Sequence, residues 1–452
     1  MFALKKTIFI KNAVILTVSS LILRFAGIIF KVYVTRIIGS EGVGLYQLIF
    51  SFYMLAATFA TSGISTAVTR LITEEIALGN KKGVLRIFRR SVELTLCAAL
   101  ISTATVFFGA EIIAAKIIGD IRAVFSLKIL AFSLPFMGIS SCIRGYFIAC
   151  RKVSPNALTQ IFEQIVRITA VLIFVGLFST KDIDTLCSAI ILGDTVAEIL
   201  SCTVLYLSFS ASKKHLNTLM GRANPPFSVT RELTRIALPI TSGKYLNTGL
   251  RTAENVLVPK NLSRYPHSSA NALSQFGMIK GMALPILLFP STLLNSISTL
   301  LIPEIGEAVA KKMYSTVKRL TAKVLSLTAL LSLFCGLIFL LFGEKIGMLI
   351  YNSADVGYLI TALSPIVPFM YLDSVSDGIL KGLDEQSFTF RTAISDSTIR
   401  IILILCLLPI SGMKGFIGIM YFSNFLTCFL NVRRLCKVSE VKFSDFLQNF
   451  KR

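Results

Sequence analysis

The chain has 452 residues, of which 54% are hydrophobic and only 15% charged, and its formal net charge is +22. A soluble protein of this length needs far more polar surface, so the composition excludes that class. The basic excess does not indicate nucleic-acid binding, because the lysines and arginines lie in short segments between apolar runs, as in membrane proteins.

Apolar runs that are long enough to cross a membrane recur along the whole sequence. A helix needs about 20 apolar residues to cross a hydrocarbon core of roughly 30 Å, and it satisfies its own backbone groups in lipid. We predict an all-α integral membrane protein with about twelve spans, at 12–35, 43–70, 91–112, 124–149, 158–179, 186–209, 233–257, 272–302, 321–343, 357–380, 392–411 and 414–433. The first run lacks a small-residue cleavage site, so we interpret it as a retained helix.

The connections between these spans alternate in charge. The N-terminus, 71–90, 150–157, 210–232, 303–320 and the C-terminus are basic, whereas the intervening connections are shorter and more balanced. Because basic loops stay on the cytoplasmic side, we predict that both termini are cytoplasmic. Segment 381–391 is an exception, since Asp384 and Glu385 balance its two bases.

The two halves of the sequence repeat. Segment 131–168 matches 364–401 without a gap at ten of 38 positions, around a shared Pro-Phe-Met at Pro135 and Pro368. The polar segment 210–232 lies between the halves. We therefore predict an N-terminal six-helix lobe at 1–209, a linker at 210–232, a C-terminal six-helix lobe at 233–436 and a tail at 437–452. Lobes with six spans each have the same orientation, which predicts parallel repeats around a central cavity.

Ionisable residues inside predicted spans are functional candidates, because insertion costs about 2.5–3.5 kcal/mol each. Two acid–base pairs recur at the repeat offset with i,i+4 spacing, which favours a structural role: Glu163 with Arg167, and Asp396 with Arg400.

A second set of charges is basic. Arg24 and Lys31 share one face of the first helix, Lys244 and Arg251 share one face of the seventh, and Lys280 lies in the eighth. We predict that Arg24, Lys31, Arg251 and Lys280 bind an anionic substrate in a basic cavity, since guanidinium groups suit phosphate. The alternative is snorkelling for Lys31 and Lys280, and pairing with Glu254 for Arg251.

A third set is acidic, with i,i+4 spacing in helices 6 and 10: Asp194, Glu198, Asp373 and Asp377. Such residues suit a cation site or a proton relay, although one member of each pair can simply be protonated. The two histidines lie in polar connections and the nine cysteines form no C-x-x-C pair, so we expect no metal site and no cofactor.

One motif identifies a family. The string Arg144-Gly145-Tyr146-Phe147, followed by Pro155, Gln160, Glu163-Gln164 and Arg167, resembles the stage V sporulation protein B family. Arg24-x-x-Gly27 and Pro290 to Ala310 agree with this resemblance. That family belongs to the polysaccharide-export branch of the multidrug/oligosaccharidyl-lipid/polysaccharide flippase superfamily.

The resemblance implies an alternating-access transporter, not an enzyme, in the bacterial cytoplasmic membrane. Its substrate would be an undecaprenyl-diphosphate-linked saccharide, with lipid II the prominent candidate, and cell-wall synthesis enzymes are possible partners. In related lipid II flippases basic residues of helices 1, 2 and 8 line the cavity; Arg24 matches the first of these. Two alternatives stay open: a cation-coupled small-molecule antiporter of the same superfamily, and a membrane-embedded glycan polymerase or ligase.

Overall fold

The computed structural model describes residues 2–61, 63–178, 182–213, 228–265, 271–292, 294, 305, 311 and 313–441, apart from the side chains of 2–18, 20 and 213. Most of the predicted linker 210–232, the stretch 295–304 and most of the tail 437–452 lie outside these residues. The described part is built from helices and contains no strand.

The chain divides into two compact units. Unit 1 comprises Met1–Ile38 and Leu45–Thr252, and unit 2 comprises Gly39–Gly44 and Ala253–Arg452. The prediction of an all-α, two-lobed membrane fold is confirmed, whereas the exact lobe and linker boundaries stay a prediction.

The helices of the first half follow the predicted spans. They are α1 (Phe2–Thr61), α2 (Ile64–Ala77), α3 (Lys81–Ile112, continued by a π-helical turn to Ile118), α4 (Ala123–Ala131), α5 (Leu134–Ala149), α6 (Ser154–Leu177) and α7 (Ile183–Lys213). Helix α1 contains Gly39 with φ 67°, a conformation that L residues with a side chain rarely adopt. Two predicted spans therefore lie in α1, one on each side of this break.

The second half has the same organisation. Its helices are α8 (Val229–Leu262), α9 (Ala272–Leu288, with a π-helical middle), α10 (Tyr314–Tyr351), α11 (Ala354–Leu363), α12 (Val367–Gly382) and α13 (Gln386–Ser439). Helix α13 breaks at Gly412, which has φ 53°. At 1.5 Å per residue its 54 residues extend roughly 80 Å, so it contains the last two predicted spans.

Six of the described helices are long and apolar enough to cross a membrane, and the bent pair α4–α5 makes a seventh. Helix α8 has 34 residues, which is sufficient length, but it is too polar to pass the same criterion. Of the predicted span 272–302, the structure describes residues 272–292 and 294. The chain is thus a multi-pass membrane protein, and each predicted span overlaps a described helix.

The sequence repeat is a structural repeat. Helices α5 and α12 each have 16 residues, each carries a proline in its first turn, and they begin at Leu134 and Val367, the repeat offset. Each follows a break: a bend of 41° separates α4 from α5, and the 3₁₀ turn Ser364–Ile366 separates α11 from α12. Proline suits such a position because the first-turn N–H has no helical acceptor.

The basic connection predicted at 71–90 is mostly helical. Helix α2 continues to Ala77 and α3 begins at Lys81, so the turn is only three residues long. The Asn80 side chain explains this, because its oxygen accepts from the Gly83 N–H at 3.1 Å and its amide donates to buried Glu75 at 2.6 Å.

A close contact between backbones fixes segment 39–44 against α9 within unit 2. The hydroxyls of Ser40 and Ser274 are 2.6 Å apart. A Cβ added to Gly277 would collide with the Ser40 carbonyl oxygen and would lie 2.7 Å from the Gly44 nitrogen. Only glycine at position 277 permits this approach.

Candidate functional site

The largest group of buried charges in unit 1 centres on Arg167. Its guanidinium lies 2.8 Å from Glu163 on the same helix and 3.0 Å from Asp194 on α7. The i,i+4 contact predicted for Glu163 and Arg167 therefore forms. Asp194, predicted as a candidate for ion coupling, is an ion-pair partner of the same arginine.

Further contacts hold these two acids. Arg144 on α5 lies 3.1 Å from Glu163, and the Ser201 hydroxyl donates to Glu163 at 3.2 Å. The Tyr46 hydroxyl on α1 donates to Asp194 at 2.9 Å. The network thus joins α1, α5, α6 and α7, and we name it the unit 1 ion cluster: Tyr46, Arg144, Glu163, Arg167, Asp194 and Ser201.

Unit 2 has a corresponding ion cluster around Glu254, which is 2% exposed. Arg400 bonds Glu254 directly, and the Lys280 ammonium lies 3.0 Å from the same carboxylate. Arg400 also lies 3.7 Å from Asp396, which accepts a hydrogen bond from Ser423 at 2.5 Å. A serine of the following span therefore holds the repeated acid in each unit, Ser201 for Glu163 and Ser423 for Asp396.

This geometry corrects two expectations. The sequence offers Lys280 no acidic partner on its own helix, but the Glu254 carboxylate lies 3.0 Å from its ammonium. Arg251 was a candidate partner of Glu254, but the carboxylate instead bonds Lys280 and Arg400. The reason is that Lys280 on α9 and Arg400 on α13 are 26 and 146 residues away from Glu254 in sequence. Residue spacing along one helix cannot predict contacts between helices.

The remaining acidic candidates have separate surroundings. Asp373 accepts a hydrogen bond from the Asn431 amide at 2.8 Å. Asp377 pairs with Lys381 at 2.5 Å, and the lysine side chain is 50% exposed. Glu198 is buried with 8% exposure, and its Oε1 accepts no hydrogen bond from the described residues.

The predicted basic residues of α1 lie on its polar side. At roughly 100° per residue, Lys31 lies about 20° around the helix from Arg24, together with the buried Thr35 and Ile38. The exposed apolar residues of this segment are Ile22, Phe25 and Ile29, roughly 100–160° away from Arg24. Arg24 is therefore exposed on a face other than the one that suits lipid.

Helix α8 has the same division of faces. Thr241, Lys244, Thr248 and Arg251 recur at spacings of three and four, which places them on one stripe. Thr248 lies 3.4 Å from Thr58 of α1, so this stripe borders the contact with α1. The exposed Leu238 and Leu246 lie roughly 120–160° from Lys244.

These basic residues share one property within the described part of unit 1. Arg24, Lys244 and Arg251 are exposed, Lys31 is half-buried, and none of the four has an acidic partner among the described side chains. We name these four residues the unpaired basic set. Their charge is not paired with a described acid, whereas the arginines of the ion clusters contact carboxylates.

Unit 1 also contains two adjoining cavities of about 550 and 430 Å³ that share Arg70 and Glu74. Hydroxyls line the larger one, from Ser65, Thr66, Thr69 and Thr73. Arg70 and Glu74 pair at 3.2 Å, and Arg235 and Glu232 border the smaller cavity. The charges around the smaller cavity are balanced, because Arg70 pairs with Glu74 and Arg235 pairs with Glu232.

Sequence reasoning missed two central residues. Arg144 was noted only as part of a motif, although it is the second cation of the unit 1 ion cluster. Glu254 was considered only as a partner of Arg251 on the same helix, although it is the centre of the unit 2 ion cluster. A signal was present for Arg144, because an arginine inside an apolar run needs a countercharge.

The sequence and the fold of this chain are similar to those of known proteins. Stage V sporulation protein B of Bacillus subtilis (strain 168) is 25% identical over 417 residues, which cover 91% of this chain and 80% of that protein. Lipid II flippase MurJ of the same organism is 20% identical over 461 residues, which cover 94% and 82%. A solved structure of lipid II flippase MurJ, in an inward closed conformation, matches with a TM-score of 0.72 at 15% identity and covers 96% of this chain and 89% of that one. The family model for polysaccharide biosynthesis proteins matches residues 9–309, two thirds of the chain, which therefore belongs to the polysaccharide biosynthesis protein family.

Proposed function

We propose that this protein is an alternating-access flippase. It moves an undecaprenyl-diphosphate-linked saccharide, such as lipid II or a polysaccharide precursor, from the cytoplasmic to the outer leaflet of the bacterial cytoplasmic membrane. It forms and breaks no covalent bond. The relatives named for sporulation and for lipid II transport support this substrate class.

The observation that carries the proposal is the unpaired basic set. A lipid diphosphate has at least two negative charges, and an isolated ion in a low-dielectric layer costs tens of kcal/mol by Born arithmetic. Cations without acidic partners supply countercharge and charge-assisted hydrogen bonds worth roughly 1.5–3 kcal/mol each. Arg24, Lys31 and Arg251 are the proposed diphosphate contacts.

We also propose Lys280 as a substrate contact, although it is already paired with an acid. Glu254 holds its ammonium at 3.0 Å, so the lysine offers a substrate less charge than Arg24 does. We expect its substitution to affect stability as well as transport.

The state of the acids argues against the antiporter alternative. A transporter for cationic small molecules needs carboxylates that are open to its substrate. In the described part of the spans, arginines or lysines already neutralise Glu163, Asp194, Glu254 and Asp396. The polymerase or ligase alternative has no comparable support, because one of the matched relatives is named a lipid II flippase.

The glycan has a candidate contact of its own. The two cavities that share Arg70 and Glu74 lie at the end of α2 that the charge pattern assigns to the cytoplasm, where a cytoplasmic saccharide enters. Both termini are proposed to lie on this side. Cell-wall synthesis enzymes on the outer side are proposed as partners that receive the product.

A vesicle assay tests the proposal. Purified protein is reconstituted with fluorescent lipid II or a fluorescent lipid-linked oligosaccharide, and an impermeant quencher measures the fraction that changes leaflet. We expect protein-dependent transfer of the diphosphate-linked lipid and no accumulation of a cationic dye. Dye transport without lipid transfer would support the antiporter instead.

A further inference from the structure

Glu198 is a buried acid of unit 1 that has no cation in contact with it among the described residues. Its side chain is 8% exposed, and Oε1 has no hydrogen-bond donor among the described residues. It lies on α7 between Asp194 and Ser201, on the face that both of these residues direct at α6. Glu198 therefore borders the unit 1 ion cluster without joining its ion pairs.

The neighbours of Glu198 cannot neutralise it. The charged or titratable groups around it are Glu163 and Arg167 on α6, Arg144 on α5, Tyr53 on α1 and Cys202 on α7, with Asp194 one turn away on α7. Arg167 already contacts Glu163 and Asp194, and Arg144 contacts Glu163. Three carboxylates thus face two guanidinium groups, and one negative charge is in excess.

Another acid without an ion pair provides a comparison. Asp373 in unit 2 accepts a hydrogen bond from the Asn431 amide at 2.8 Å, which stabilises its ionised form. A carboxylate without a cation in contact with it in a low-dielectric site is instead neutralised by a bound proton. A proton needs a single oxygen, which Glu198 Oε1 provides, whereas an alkali cation needs several, and those of Glu163 and Asp194 are engaged.

We propose that Glu198 is a proton-binding site, and that the protein exchanges this proton with water during its transport cycle. The proton adds to the carboxylate and gives a neutral carboxylic acid, so the unit 1 ion cluster becomes balanced. The binding itself does not depend on the transported substrate. Only the coupling step rests on the proposed flippase function.

Infrared spectroscopy of the purified protein in lipid vesicles tests the binding. We expect a carbonyl stretch of a protonated carboxyl at neutral pH that is absent from Glu198→Gln and retained in Asp377→Asn, whose acid pairs with Lys381. Carboxyl-¹³C glutamate labelling of the wild-type protein should shift the same band, which assigns it to a glutamate even if the variant folds poorly. If neither the substitution nor the label changes the band, the proposal is wrong.

Two further results separate the alternatives. Replacing potassium by sodium should leave the band unchanged; its loss in sodium would make Glu198 an alkali-cation site and refute proton binding. In vesicles with an imposed pH gradient, lipid transfer by the wild-type protein should respond to the gradient, and transfer by Glu198→Gln should not. If no lipid-linked saccharide is transferred at all, the flippase proposal fails while the infrared result still decides proton binding.

Discussion

Arg400 bonds Glu254 across 146 residues of sequence, and it stays 3.7 Å from Asp396, only four residues before it. Glu254 also contacts the Lys280 ammonium at 3.0 Å, so one buried carboxylate pairs with two cations from different helices. The i,i+4 contact of Arg400 with Asp396, which sequence spacing predicts, is therefore longer than its contact with Glu254, which spacing cannot predict.

This arrangement predicts which of two substitutions destabilises the protein more. Glu254→Gln leaves Lys280 without its described partner and Arg400 with only the 3.7 Å contact to Asp396, whereas Arg400→Ala leaves Glu254 with Lys280. Breaking a buried pair by removal of one partner costs about 3–5 kcal/mol. We expect Glu254→Gln to lower membrane abundance and the melting temperature in detergent more than Arg400→Ala does. Lys381→Ala, which removes a half-exposed pair, should cost at most about 1 kcal/mol.

The unit 1 ion cluster predicts which second substitution rescues Arg167→Ala. Loss of Arg167 leaves Glu163 with Arg144 and Ser201, but it leaves Asp194 with the Tyr46 hydroxyl alone. Asp194→Asn should therefore restore the abundance of Arg167→Ala better than Glu163→Gln does. Equal rescue by both, measured by quantitative blotting of membranes, would contradict the role assigned to Arg144.

The sequence predicted the span positions and the repeat well, because both depend on local hydrophobicity and on identities such as Pro135 and Pro368. It also predicted the pairing of Glu163 with Arg167, since i,i+4 neighbours share a helix face. It did not predict that Lys280 is neutralised. That contact depends on how α8 and α9 pack within unit 2, which no spacing along one helix encodes.

Steric contacts make a separate prediction for the glycines. Gly277→Ala would place a Cβ against the Ser40 carbonyl and the Gly44 backbone, and overpacking of this kind costs about 1–3 kcal/mol. Gly176 on α6 has nothing within 4 Å of an added Cβ, so Gly176→Ala is a matched control. We expect a lower melting temperature for Gly277→Ala alone. An unchanged value would show that segment 39–44 moves away without cost.

The orientation of the chain is testable at described turns. Reporter fusions after Lys152, between α5 and α6, should report the cytoplasm, and fusions after Asp182, before α7, should report the opposite side. Helix α6 separates the two positions, and its 24 residues are sufficient for one crossing. The same side for both fusions would show that α6 does not cross and that the predicted positions of the termini are wrong.

The sharpest test of the flippase proposal concerns Arg24, which is exposed on α1 away from Ile22, Phe25 and Ile29 and has no acidic partner among the described side chains. Its removal leaves no described carboxylate without a partner, so Arg24→Ala should reach normal membrane levels. We expect this variant to lose most lipid transfer. Loss of one or two charge-assisted hydrogen bonds of roughly 1.5–3 kcal/mol each corresponds to at least a tenfold lower rate. Arg24→Lys keeps the charge without the planar fork, so we expect an intermediate rate.

Two comparisons make the Arg24 result decisive. Arg89→Ala removes an arginine that is 85% exposed on α3, and it should transfer lipid at the wild-type rate. The antiporter alternative predicts the opposite ranking of transport defects. Asp194→Asn or Asp373→Asn should then reduce transport most, and Arg24→Ala should reduce it little. Each variant is measured in the same vesicle assay at equal reconstituted amounts. Wild-type transfer of the lipid-linked saccharide by Arg24→Ala would exclude Arg24 as a diphosphate contact, because no other described residue restores its charge at that position on α1.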